Sequence, residues 1–457
     1  MLKIKSGKPL KGNLSSQNEL NIPGDKSISH RAALFSAMAE GESEISNFLK
    51  SKVTRAMLDG LYELGFIWEI QGTTLKISGK GILKNPPEFK DLVRKIDCGN
   101  SATTMRMLAG ALPGMGKSAV LDGSQGLRKR PMTRIVKPLQ QMGVPIEDKD
   151  GCAPLKISRA PIPLKSIKYS LPVASAQVKT CILLAALAAE GETTVIEPGP
   201  SRDHSERMLK TMGVEIHKIS GDDISEVKEP SGGNFITRIF PPENKGLSPL
   251  RMTVPGDFSS AAFVLVAGLI CQDSEIEITG LGVNPTRIGL LEVLQKMGAD
   301  IKIRNQQLLN DEPVADLIVR SSRLEGMEIS GLDIVRMIDE FPVFAVAAAY
   351  AEGKTRVMDA QELRYKESDR IAAICSELSK IGVQIEEKPD GFIIDGSHQV
   401  SGGDVVSYGD HRLAMSLAVA GLASQDEIRV NGAEVIEESF PDFVNIFKYL
   451  GADIQIT

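Results

Sequence analysis

The stretch "LQQMGVPIED", residues 139–148, reads as a helix that ends at a glycine C-cap and turns straight into a strand. The same pattern, Leu-x-x-apolar-Gly followed by an alternating apolar and polar run, recurs along the whole chain. It stands as "LYELGFIWEI" at 61–70, "LKTMGVEIHK" at 209–218, "LQKMGADIKI" at 294–303 and "LSKIGVQIEE" at 378–387. The last copy, "FKYLGADIQI" at 447–456, has Phe in the Leu place. The six glycines are Gly65, Gly143, Gly213, Gly298, Gly382 and Gly451.

A second helix type appears once per repeat. Its bodies are "HRAALFSAMAEG", "TTMRMLAGALPG", "VKTCILLAALAAEG", "SSAAFVLVAGLI", "PVFAVAAAYAEG" and "RLAMSLAVAGLAS". These segments are apolar nearly all round and rich in Ala, so they are expected to be buried. Their polar residues gather at the N-terminal ends, near Asp25, Asn100, Ser175, Asp257, Asp339 and Asp410.

Repeats of roughly 75 residues with two helices and several strands are too large for a solenoid. Three make a domain of ordinary size, and six make two. A helix N-terminus offers free N–H groups and a positive partial charge, which suits an anion. Six such ends, three per domain, are expected to converge on one interdomain cleft. Taken singly, each reads equally well as a cap, because Asp, Ser and Asn are the preferred capping residues. The chain is expected to cross between domains near 21–25 and 247–252. This gives a discontinuous domain, 1–20 plus 248–457, and an inserted one, 21–247.

Composition narrows the partners. With 42% hydrophobic and 25% charged residues and a net charge of -6, the 457-residue chain has no general attraction for nucleic acid or an anionic membrane. An anionic ligand must be drawn by a local cluster of Lys and Arg. The five cysteines are scattered singly, without a CxxC, which suits a reducing compartment. The histidines show no zinc spacing, so no metal is expected. "MLKIKSGKPLKG" lacks the apolar core of a signal peptide, and no run approaches a membrane span. A cytoplasmic location is expected.

Candidate chemistry lies at the helix starts. In "GDKSISHR", Lys26 and Ser27 follow a glycine turn as in a phosphate loop, although Asp25 replaces the glycine a Walker A motif needs. Ser27 and Arg31 are four apart and share a helix face beside Lys26, a set that suits phosphate or carboxylate. "DCGNSATTMR" places Asn100, Ser101, Thr103 and Thr104 at a second start. "DGSQGLRKRP" carries Arg128, Lys129 and Arg130, "ASAQVK" carries Ser175, Gln177 and Lys179, and "PSRDH" adds Arg202. The acids come later. "MIDEFP" holds Asp339 and Glu340, and "LRYKESDR" packs Arg364, Lys366, Glu367, Asp369 and Arg370 together. Glu367 and Arg370 share a face if that segment is helical. "YGDHR" supplies His411 and Arg412. Lys26, Arg31, Arg130, Arg202, Lys366, Arg370 and Arg412 stand against Asp339 and Glu367. That is cation enough for two multiply charged anions, with two carboxylates left for proton transfer.

"PGDKSISHRA", "DCGNSATTMR", "SAQVK", "IDEFP", "KESDR", "GDHRLAM" and "SFPDF" stand in the order seen in 5-enolpyruvylshikimate-3-phosphate synthases. The chain resembles that family, in its class II bacterial form. The resemblance implies an α/β fold, the two-domain inside-out α/β barrel of enolpyruvyl transferases, with three similar repeats per domain. It implies transfer of the enolpyruvyl group of phosphoenolpyruvate to the 5-hydroxyl of shikimate 3-phosphate, with release of phosphate. By that resemblance Lys26, Ser27, Arg31, Ser175, Ala176, Gln177, Arg202, Asp339 and Lys366 hold shikimate 3-phosphate. Lys26, Ala102, Thr103, Arg130, Gln177, Arg370, His411 and Arg412 line the phosphoenolpyruvate position. Asp339 takes the hydroxyl proton, and Glu367 and Lys26 serve the enol carbon and the leaving phosphate. No cofactor is implied, and a monomer is expected.

Two positions depart from the family pattern. Glu438 stands where many members carry Lys before "[ST]-F-P", and Ala102 stands where glyphosate-sensitive members have Gly. Glyphosate is therefore expected to inhibit weakly at most. Two other readings use the same scaffold. One is a UDP-N-acetylglucosamine enolpyruvyl transferase, whose reactive Cys would fall on Gln125. The other is a non-catalytic sugar-phosphate-binding protein, which would be expected to lose the acids present here as Asp339 and Glu367.

Overall fold

The computed structural model describes residues 1–15, 20–82, 93–220, 235–242, 246–396 and 399–457. Each repeat contributes an apolar helix and then an amphipathic one. They are α1 (Lys26–Met38) and α2 (Lys52–Glu63), then α3 (Ala102–Ala111) and α4 (Thr133–Gln141), then α5 (Ala176–Ala186) and α6 (His204–Thr211). The second three repeats supply α7 (Phe258–Ile270) and α8 (Gly289–Lys296), α9 (Phe341–Ala349) and α10 (Arg370–Lys380), and α11 (His411–Ala420) and α12 (Phe443–Tyr449).

The recurring Leu-x-x-apolar-Gly signal is one local device used six times. All six glycines are left-handed, with φ from 86° at Gly65 and Gly382 to 104° at Gly451. The residue after each glycine donates its N–H back to the carbonyl of the Leu or Phe that opens the motif. Phe66 bonds to Leu61, Val144 to Leu139, Val214 to Leu209, Ala299 to Leu294, Val383 to Leu378 and Ala452 to Phe447, at 2.9 to 3.1 Å. This is the six-to-one bond of a Schellman cap, which satisfies a terminal carbonyl and aims the chain into the next strand.

Among the described residues the strands form six four-stranded sheets of one plan. In the sheet Arg94–Asp97, Ala119–Asp122, Cys152–Ile157 and Ile146–Lys149, the first pair is parallel and the other two are antiparallel. Three sheets borrow a strand from far along the sequence. Lys11–Leu14 lies parallel to Glu275–Gly282, Leu2–Lys5 sits between Ile428–Asn431 and Asp453–Ile456, and Arg251–Thr253 lies parallel to Glu44–Ser46.

Two compact units result, Met1–Asp25 with Pro255–Thr457, and Lys26–Val254. The expected limits at 20/21 and 247/248 shift for local reasons. Asp25 N–H bonds to the Pro255 carbonyl and Asp257 N–H to the Pro23 carbonyl, which keeps both segments in the discontinuous unit. The strand at 251–253 stays with the inserted unit. Each unit has its own apolar core. In both, the apolar helices fill the interior and the sheets lie outside them: α1 is buried except at Lys26 and α7 except at Ile270, whereas Thr74–Lys80 alternates buried and solvated positions. No helix among the described residues is long and apolar enough to cross a membrane.

Candidate functional site

Candidate residues of the inserted unit gather at the starts of its buried helices. Arg31, one turn into α1, is 2% exposed. Its guanidinium donates to the Ser27 carbonyl at 2.9 Å, to Ser205 Oγ at 2.7 Å and to Thr180 Oγ1 at 2.9 Å. Arg202 Nη1 reaches Ser27 Oγ at 3.2 Å. Thus Ser27, Arg31 and Arg202 form one cluster, joined by Ser205 and Thr180, which sequence reading missed. Lys26 stands half-buried at the first position of α1.

A second chain of contacts links α3 and α5. Ser175 caps α5 by accepting from Val178 N–H, and Ala176 is the first helical residue. The amide of Gln177 donates to Thr103 Oγ1 at 2.9 Å and accepts from Arg106 at 2.6 Å. Arg106 also donates to the Pro131 carbonyl at 3.1 Å, beside half-buried Arg130. Arg106 carried no signal of its own in the sequence. It orients Gln177 by holding the amide oxygen, which leaves the NH₂ for Thr103. The neighbouring cations separate: exposed Arg128 pairs with Asp122 at 2.6 Å and Lys129 faces solvent.

The cap of α3 is Ser101, and Ala102 behind it is buried. Ser101 Oγ accepts from Thr104 N–H and lies 3.3 Å from Nε2 of buried His30. His30 Nδ1 faces the Lys26 carbonyl at 2.8 Å and Nε2 faces the Val53 carbonyl at 3.1 Å. Burial depresses the His30 pKa to about 4, and the charges of Lys26 and Arg31 add to that against the opposing carbonyl bonds. His30 is thus a neutral imidazole near pH 7 that ties α1 to the start of α3.

Lys179 of "ASAQVK" is held by protein carboxylates. It is 2% exposed, with Nζ at 2.6 Å from Glu197 and 2.8 Å from Glu206.

In the discontinuous unit the acids and cations interleave. Arg370, 1% exposed at the start of α10, donates from Nε to Asp410 at 2.8 Å and from Nη2 to Glu367 at 2.8 Å. Glu367 lies before α10, so the pair forms across the turn that leads into the helix. Arg370 Nη1 lies 3.6 Å from Asp339, and Arg412 Nη2 lies 3.6 Å from the other oxygen of that carboxylate. Nη1 of Arg370 is buried and makes no hydrogen bond among the described residues. Lys366 stands half-buried in the turn after Gln361–Tyr365. Buried His411 approaches Glu438 at 3.7 Å.

Two further acids lie among these cations. Asp410 caps α11 and is fully buried beside Arg370, and Glu340 is buried 3.8 Å from Arg412. Glu340, not Asp339, is the N-cap residue of α9. Its carboxylate accepts from Ser259, whose Oγ in turn accepts from Arg287 at 2.9 Å. Arg287 also meets Asp25 at 3.3 Å and Asp257 at 3.0 Å. Nothing in the sequence singled out Arg287. Burial pushes the Cys98 and Cys181 thiols well above their usual range, and those of Cys271 and Cys375 to about 12. These are inert thiols, and Gln125 stands exposed in its loop.

Residues 10–447 match the family model for EPSP synthase (3-phosphoshikimate 1-carboxyvinyltransferase). A 3-phosphoshikimate 1-carboxyvinyltransferase of Geobacter metallireducens is 44% identical over 95% of this chain and 97% of its own length. One from Citrifermentans bemidjiense is 46% identical over 95% and 96%. A solved structure of EPSP synthase from Acinetobacter baumannii superposes with a TM-score of 0.84 at 37% identity, covering 100% of this chain and 99% of that one.

Proposed function

The chain belongs to the EPSP synthase family, and from that premise we propose how its own residues carry out the transfer of the enolpyruvyl group of phosphoenolpyruvate to the 5-hydroxyl of shikimate 3-phosphate, with release of phosphate. Ser27, Arg31, Ser175, Ala176, Gln177, Arg202 and Lys366 hold shikimate 3-phosphate, together with Lys26 and Asp339. Arg130, Arg370 and Arg412 bind the charged groups of phosphoenolpyruvate, with Lys26, Ala102, Thr103, Gln177 and His411 beside it. Asp339 accepts the proton of the 5-hydroxyl as its oxygen attacks C2 of the enol. Glu367, as the acid, gives a proton to the methylene carbon, and its carboxylate stabilises the cationic C2 that the 5-oxygen takes. The phosphate then leaves, served by Lys26, as one proton of the new methyl group returns to Glu367 and the enol double bond re-forms.

The observation that supports this reading most directly is the Nη1 group of Arg370. A buried guanidinium N–H without a hydrogen bond is rare, and an anionic ligand beside Asp339 would satisfy it. Glu438 lies 3.7 Å from His411, one of the residues placed beside phosphoenolpyruvate. Ala102 makes the enzyme insensitive to glyphosate, and the scattered single cysteines suit work in the cytoplasm. Phosphate release in the presence of both substrates tests the reading. Release that requires shikimate 3-phosphate and is not supported by UDP-N-acetylglucosamine is expected; the reverse preference would overturn it.

A further inference from the structure

Lys179 belongs to the "SAQVK" motif, yet its ammonium is buried among protein groups. It donates to Glu197 Oε2 at 2.6 Å and to the Ser201 carbonyl at 3.5 Å, and it forms an ion pair with Glu206 Oε1 at 2.8 Å. Glu197 ends the strand Thr193–Glu197, and Glu206 lies in the first turn of α6. The loop between strand and helix carries Arg202. Asp203, at the helix end of that loop, is held by Arg207 at 3.0 Å and Lys218 at 2.6 Å. Ser205, one residue before Glu206, accepts from Arg31.

We infer that Lys179 is a positioning residue for shikimate 3-phosphate, tying together both ends of the loop that presents Arg202. It does not touch substrate. Without the ammonium, two buried carboxylates face each other, and like charges at that range separate or take up a proton. Either response moves the strand end relative to α6, and Arg202 and Ser205 move with them. The inference rests on the reading of Arg202 as a ligand of shikimate 3-phosphate.

The test is a double-mutant cycle of Lys179→Gln with Arg202→Ala, reading the KM of each substrate and kcat. Lys179→Gln alone is expected to raise the KM for shikimate 3-phosphate about tenfold, with the KM for phosphoenolpyruvate within about twofold. In the Arg202→Ala background the same change is expected to add less than about twofold. Glu206→Gln releases one arm of the tie and leaves Lys179 paired with Glu197. It is expected to give the same pattern at about two- to threefold, which keeps the test open if Lys179→Gln does not fold. Fully additive effects, or equal rises in both KM values, would overturn the role of Lys179 and leave Arg202 as a ligand. An unchanged KM in Arg202→Ala would instead overturn the assignment of Arg202, and the inference with it.

Discussion

The carboxylate of Asp410 is shared between Arg370, whose Nε it meets at 2.8 Å, and the start of α11, where it accepts from the N–H groups of Arg412 and Leu413. One buried side chain thus caps a helix and anchors a guanidinium from another. The two roles separate by substitution. Asp410→Asn keeps a good cap and loses the charge, whereas Asp410→Ala loses both. Urea unfolding is expected to show a loss of about 3–5 kcal/mol for Ala, the cost of removing one partner of a buried ion pair, and about 1 kcal/mol less for Asn. Equal losses would mean that the cap contributes nothing.

Asp339 sits between two arginines, 3.6 Å from each. Asp339→Asn preserves the shape and cannot accept a proton. Turnover is expected to fall by roughly two to four orders of magnitude, while shikimate 3-phosphate binding weakens far less. Near-normal turnover in this variant would remove Asp339 as the base.

Ala102 is buried in the first turn of α3, directly behind the Ser101 cap that His30 touches. A close-packed position of this kind does not readily absorb or release a methyl group. Glyphosate is longer than phosphoenolpyruvate, so the methyl is expected to penalise the inhibitor more than the substrate. Inhibition measured at matched phosphoenolpyruvate saturation is expected to be weak for the natural enzyme and much stronger for Ala102→Gly. Equal inhibition of the two would take Ala102 out of the explanation.

His30 makes stability depend on pH in a definite direction. Its folded pKa of about 4 lies below the ordinary 6.5, so between those values the unfolded chain binds more protons than the folded one. The contribution is complete above about pH 6.5 and is lost as pH falls toward 4, on the order of 3 kcal/mol in all. Unfolding free energies measured across this window are expected to slope upward with pH for the natural enzyme. The slope should flatten in His30→Gln; an identical slope would assign it to other groups.

What was legible in the sequence was local. The six glycine stops could be read because a Schellman cap closes within a few residues, so its whole chemistry lies inside one short pattern. The six apolar helices were legible because burial on all sides leaves no polar face to write. The polar residues at their starts supplied the candidate residues. They did not show how those residues are used. Ser101 and Asp410 serve as caps, Lys179 lies among carboxylates, and Arg31 is among the most deeply buried large side chains.

Those outcomes belong to the tertiary structure. Arg31 meets Ser205 across 174 positions, Gln177 meets Arg106 across 71, and Glu340 meets Ser259 across 81. No periodicity connects such pairs, and an isolated Arg or Lys reads as exposed until partners arrive from other elements. Only packing α3 against α5, or α9 against α7, removes water from these groups and makes their pairing obligatory. For the same reason Arg106 and Arg287 could not be told from surface arginines, although each is held in place by residues that only the fold brings near.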